Sequence, residues 1–104
     1  MGKWIRVAAV GDVPEGSTRQ VEAGGEPVCL YNIGGTICAT HDTCTHEQAS
    51  LSEGFLVDGG LIECPLHQAL FDVRTGKATT PPATEDLRVY AVRVEGDEIS
   101  VLAD

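Results

Sequence analysis

Two short segments, Cys44-Thr45-His46 and Cys64-Pro65-Leu66-His67, each set one thiol beside one imidazole, and seventeen residues separate His46 from Cys64. Two thiolates and two imidazoles are a complete donor set for a metal centre. Within each segment the spacing lets both side chains face one point, and each segment follows a run of strand-forming residues. Pro65, directly after Cys64, stiffens the second segment. A chain built this way must carry two loop tips to a common site.

The rest of the sequence is punctuated as a β protein. Ala23-Gly24-Gly25, Ile33-Gly34-Gly35, Asp58-Gly59-Gly60 and Glu95-Gly96-Asp97 are glycine turns between short runs of branched and aromatic residues. Strands are predicted near 4–9, 18–22, 27–33, 36–41, 55–57, 61–64, 69–73, 88–94 and 98–102. No segment holds a helical apolar period for three turns, so any helix is a single turn, near Asp12–Glu15 or after His46. Thr79-Thr80-Pro81-Pro82-Ala83-Thr84 reads as a stiff loop, because proline cannot donate to a ladder. The expected fold class is all-β, an antiparallel β-sandwich or small barrel. A length of 104 residues, 42% of them hydrophobic, suits one domain over 1–104 with a core that needs no disulfides.

Charge narrows the partners. The formal net charge of −9 comes without any basic cluster, which argues against nucleic acid and anionic membrane surfaces. It suits docking onto a basic patch of another protein. No apolar run approaches a membrane span, and Met1-Gly2-Lys3-Trp4 lacks the apolar core of a signal peptide, so a cytoplasmic location is expected. In that compartment Cys29 and Cys38 are expected as buried free thiols, although a turn at Gly34-Gly35 brings them to one sheet face and leaves a bridge open.

Two metal centres compete for the four donors. A structural zinc site also takes two Cys and two His, but zinc fingers pair Cys with Cys and His with His at short spacing. Here each loop offers a mixed pair. In a two-iron, two-sulfide cluster with such ligands, one iron takes both thiolates and the other both imidazoles, so mixed loops clamp it from two sides. A structural Cys2His2 zinc domain remains the alternative reading.

Val57 to Cys64, His67-Gln68-Ala69-Leu70-Phe71-Asp72 and Thr75-Gly76-Lys77, taken with the two Cys–His pairs, resemble soluble Rieske-type [2Fe-2S] ferredoxins. These are the electron-transfer components of bacterial aromatic-ring-hydroxylating dioxygenase systems. The resemblance runs over nearly the whole chain, from Trp4 to the Pro81-Pro82 loop, which in that family packs over the cluster. It implies a cluster-binding subdomain of two loops at about 42–82 and one [2Fe-2S] cluster. Cys44 and Cys64 would bind one iron, and His46 and His67 the other through Nδ1, leaving the outer imidazole nitrogens at the surface. It further implies a monomeric carrier between an NADH-dependent, flavin-containing reductase and a terminal oxygenase, docking on both at the His46/His67 end. A Rieske-like small subunit of a nitrite reductase or other oxidoreductase complex is the second reading from the family.

The residues also speak against catalysis by this chain. A mononuclear oxygenase iron needs two His and a carboxylate, and with three histidines in all only His41 is left over, expected at a solvent edge. No Gly-x-Gly-x-x-Gly follows a strand to cradle a nicotinamide or flavin cofactor. High-potential members of the resembling family carry an extra Cys in each loop, where this chain has Ala49 and Leu66, and a serine and a tyrosine where it has Ala69 and Phe71. Missing hydroxyl donors leave cluster sulfur more electron-rich and disfavour the added electron. The predicted midpoint potential is therefore at the negative end of the Rieske span, about −150 to 0 mV. A redox titration near neutral pH that places it above about +100 mV would contradict this reading of Ala69 and Phe71.

Overall fold

The computed structural model describes residues 2–43, 49–57, 59–65, 69–79 and 86–103. Its strands, in chain order, are β1 (Lys3–Ala9), β2 (Thr18–Ala23), β3 (Glu26–Ile33), β4 (Thr36–His41), β5 (Phe55–Val57), β6 (Leu61–Glu63), β7 (Leu70–Asp72), β8 (Val89–Tyr90), β9 (Val92–Glu95) and β10 (Glu98–Ala103). They form three antiparallel sheets, ordered β1-β10-β9, β2-β3-β4-β8 and β5-β6-β7. The all-β expectation holds. Among the described residues the helical content is two single turns, Val10–Asp12 and Leu51–Glu53. The first ends where the sequence suggested a turn would begin, and the second follows His46 at a distance.

β3 explains how the layers stack. Its run Val28-Cys29-Leu30-Tyr31 is buried at every residue. Alternation sends Val28 and Leu30 into one core with Ala8, Val13, Ala39, Tyr90, Ile99 and Val101. Cys29 and Tyr31 point the other way, into a core with Leu51, Ile62, Cys64, Ala69, Phe71 and Val73. A strand covered on both faces loses the polar alternation of a half-exposed one. The β2-β3-β4-β8 sheet is thus the middle layer between the β1-β10-β9 sheet and the small β5-β6-β7 sheet.

One expected strand is divided. The segment 88–94 breaks at Ala91 into β8, which pairs with β4, and β9, which pairs with β10. The Ala91 carbonyl still accepts a hydrogen bond from the Leu102 amide at 3.0 Å, so the chain changes sheet without leaving its partner. Such a corner is how a strand closes a packed pair of sheets, and alternation alone does not reveal it.

The β3–β4 hairpin settles the thiol pair. Its register sets Tyr31 opposite Cys38 and Cys29 opposite Thr40. Cys29 and Cys38 share a sheet face, as the glycine turn suggested, but they stand diagonally and both are free. Diagonal neighbours lie roughly 7–8 Å apart, beyond ordinary disulfide reach.

Gly54 marks a close approach near the site. Its φ of −85° suits any residue, yet a Cβ there would run into the Glu63 carbonyl oxygen. Glycine lets the chain leaving Leu51–Glu53 press against the end of β6, one residue before Cys64. Gly54→Ala is expected to cost about 1–3 kcal/mol of unfolding free energy through overpacking. Phe55→Ser, at a side chain 63% exposed, should change it by less than about 0.5 kcal/mol. Denaturant titration of both variants checks the contrast.

Candidate metal centre

Residues flanking the two Cys–His segments, Ala49 and Leu51 on one and Cys64 and Ala69 on the other, share one core, and each segment is closed at its base by hydrogen bonds. Cys64 lies directly after β6, fully buried, and its amide donates to the Ala69 carbonyl at 2.8 Å. That bond shuts the turn whose sequence carries His67. The other segment leaves β4 after His41, and an isolated antiparallel bridge joins Thr43 to Ser50 across it. The Leu51 amide donates to the Asp42 carbonyl at 2.7 Å, and the Asp42 amide to Pro27 at 3.0 Å, tying this base to β3.

Of the four proposed ligands, Cys64 is placed, and its burial fits a ligand. Cys44, His46 and His67 lie outside the described residues, as do Leu66 and the Pro81-Pro82 loop. Among the described residues no three Cys, His, Asp or Glu side chains converge as a metal site. The chemistry of the Cys64 surroundings is nevertheless informative. Ala49, Leu51, Ala69 and Phe71, all buried, share its core. These side chains offer sulfur no hydroxyl donor and keep water away. A buried thiol in an apolar core at the base of a Cys–His segment suits a thiolate-bound cluster, and the described residues fit that group.

Two neighbouring hydroxyls are committed elsewhere. Thr40 donates its single hydroxyl proton to the His41 carbonyl at 3.0 Å, and the Tyr31 and Thr40 hydroxyls lie 2.8 Å apart. Tyr31 is therefore the donor to Thr40, and its proton is taken. Burial pushes the Tyr31 phenol well above its ordinary range, so it stays protonated. The sequence marked neither residue, because a tyrosine and a threonine in adjacent strands look like ordinary sheet residues.

His41 ends the inner strand β4, its side chain reaching the surface with Nε2 at 3.2 Å from the Glu26 carboxylate. Its side chain is 28% exposed. It is occupied outside the Cys64 core rather than within it.

The Rieske [2Fe-2S] domain family matches residues 3–91. A relative from a Ralstonia species, the ferredoxin component of naphthalene 1,2-dioxygenase/salicylate 5-hydroxylase systems, is 48% identical over 92 residues, 88% of each chain. A chain in the complex of reduced oxygenase and oxidised ferredoxin of carbazole 1,9a-dioxygenase superposes with a TM-score of 0.88 at 44% identity, over 94% of this chain and 91% of that one. A protein described as an NADH-dependent nitrite reductase small subunit from Mycobacterium tuberculosis superposes at 0.89 over 100% and 97%, but at 22% identity it shares the fold alone.

Burial holds the remaining thiols protonated to different degrees. Burial pushes Cys29 up to about 12, with the Asp42 charge adding to the rise. Cys38 is raised by burial too, partly opposed by Arg74. At pH 8 a group at about 12 is thiolate in about one molecule in ten thousand. Iodoacetamide should therefore leave Cys29 unlabelled in the native protein and label Cys38 slowly. In denaturant without reductant both should react at equal rates, read by mass spectrometry of the digest.

Proposed function

The chain belongs to the Rieske [2Fe-2S] family, and from that premise we propose that it is the one-electron carrier of an aromatic-ring-hydroxylating dioxygenase system. In this reading it accepts electrons from an NADH-dependent, flavin-containing reductase and delivers them to a terminal oxygenase. Support comes from similarity to dioxygenase ferredoxin components along almost the whole chain. The observation that carries the reading is the pair of base-closed loops with Cys64 buried in an apolar pocket.

The proposed ligands are Cys44 and Cys64 on one iron and His46 and His67 on the other, and the domain is taken as 1–104 with its cluster-binding part at about 42–82. Bound there, the cluster supplies a site for one electron at a time. The protein's share is to hold the donors, exclude water and set the local charge. Ala49, Leu51, Ala69 and Phe71 provide the dry wall behind Cys64. The net charge of −9 opposes an added electron and provides a field for docking onto a basic partner face. Donors and acceptors would meet the same His46/His67 end in succession, which calls for small, salt-sensitive contacts and a monomer in the cytoplasm. Among the described residues no helix is long and apolar enough to cross a membrane.

This chain performs no substrate chemistry in the proposed system. It has three histidines, and the one outside the Cys–His pairs, His41, is engaged by Glu26. The nitrite reductase reading has fold likeness alone behind it, and the zinc reading conflicts with the family match.

Purified protein should contain about two irons and two acid-labile sulfides per chain and show a rhombic paramagnetic-resonance signal on reduction. Cys64→Ser and Cys44→Ser should each abolish cluster assembly. His67→Cys, where a cluster still forms, adds negative charge and should move the midpoint towards the about −400 mV of all-cysteine plant-type ferredoxins. An unchanged midpoint in that variant would remove His67 from the ligand set. Reduction by the flavoprotein should slow as salt rises from about 0.01 to 0.15 M, over which the Debye length shrinks from about 30 to 8 Å.

A further inference from the structure

We infer that Asp42 is a positioning residue for the cluster, latching shut the loop that carries Cys44 and His46. The inference rests on the assignment of those two residues as ligands. Asp42 stands two residues before Cys44 and is 1% exposed. Its side chain reaches across the base of the loop and accepts three hydrogen bonds. Oδ1 takes the Ser52 amide at 2.9 Å, while Oδ2 takes the Ser50 hydroxyl and, at 2.7 Å, the Gln20 amide nitrogen. Ser50 and Ser52 lie on the return side of the loop, and Gln20 lies on β2. One side chain thus joins the start of the loop, its end and the neighbouring sheet.

The connections continue outward. Because Ser50 gives its proton to Asp42, Ser52 is the donor in the 2.7 Å contact between the two serine hydroxyls. The Ser52 carbonyl in turn accepts from the Thr18 hydroxyl at 2.9 Å, again on β2. The chain leaving the loop is therefore pinned to β2 directly by Thr18, and the chain entering it is pinned to β2 by Gln20 through the Asp42 side chain and to Pro27 by the Asp42 amide.

The two ligand loops differ in what closes them, and among the described residues the side-chain latch is found at the longer one. The Cys64 loop is short, contains Pro65, and is shut by its own Cys64–Ala69 backbone bond. The loop between Thr43 and Ser50 is longer and has no proline. Closing it costs more chain entropy, and it must present a thiolate and an imidazole together. A buried carboxylate with donors on three sides offsets that cost, since hydrogen bonds to a charged group are stronger than neutral ones. Burying a carboxylate is itself unfavourable, so removing its donors or the group leaves orphaned partners behind. Ala69 and Phe71 confer no hydroxyl on the site, and Asp42 is where the polar organisation resides instead.

The test is a series of holoproteins followed by iron release to a chelator and by the reduced-state paramagnetic-resonance spectrum. Asp42→Ala removes all three bonds and should speed iron release at least about 10-fold, with shifted line positions. Ser50→Ala, at a half-buried side chain, removes one bond and should speed release about 3-fold. Asp42→Asn keeps the Ser52 bond but exchanges charge-assisted bonds for neutral ones, so it should speed release about 3-fold, less than Asp42→Ala. Val13→Ala weakens the opposite core and serves as a control for general destabilisation. It should leave release and spectrum unchanged at temperatures where it is folded.

Release rates and spectra in Asp42→Ala and Ser50→Ala that match wild type would overturn the latch. Equal acceleration by Val13→Ala would overturn it too. If Asp42→Ala does not fold, the Ser50→Ala and Asp42→Asn pair decides on the same criteria. A Cys44→Ser or His46→Ala protein that keeps the wild-type spectrum would instead overturn the ligand assignment, and the latch with it.

Discussion

Burial of β3 on both faces is the constraint on which the rest of the structure depends. Val28 and Leu30 belong to the core beneath the β1-β10-β9 sheet, while Cys29 and Tyr31 belong to the core that contains Cys64. The two cores therefore share one strand, and displacement of β3 would disturb both. A slip of one residue in the β2–β3 or β3–β4 register would exchange the faces and put Cys29 and Tyr31 under the wrong sheet. The Asn32 side chain guards against that slip. It donates to the Val13 carbonyl at 2.7 Å and accepts from the Gly35 amide at 2.9 Å, holding the hairpin turn in one position.

From this base the site inherits two kinds of order. The pocket behind Cys64 is apolar: alanine, leucine and phenylalanine line it, and the nearby Tyr31 hydroxyl is engaged by Thr40. The rim is polar and organised around Asp42, whose partners come from the loop and from β2. A dry wall lowers the local dielectric and strengthens whatever charge sits nearby, and the carboxylate and the net charge of −9 are both negative. An apolar wall behind Cys64 and an acidic surround act in the same direction on an added electron. That suits a carrier that must give its electron away.

An electron carrier also needs little else. The fold closes the bases of the two Cys–His segments, and the chain carries a net charge of −9. The same scaffold superposes on proteins of other systems at low identity, so fold alone does not decide the role. Residues around the ligand loops and the high-identity relatives do that.

Much was legible in the chain itself. The Cys–His pairs pointed to the family and its cluster, glycine pairs marked the hairpins, and period-two runs located nearly every strand, because these are local properties of side chain and backbone. Its histidine count already argued against a second iron site. What needed the tertiary structure was everything set by long-range pairing. The change of sheet at Ala91 depends on which strands lie beside it, and the diagonal placement of Cys29 and Cys38 depends on hairpin register. The steric need for Gly54 comes from a carbonyl on β6, and the task of Asp42 comes from donors up to 22 residues away in the chain. Local composition determines which groups are present and which elements they form. Only close packing decides which of them meet, because contact distance bears no fixed relation to separation along the sequence.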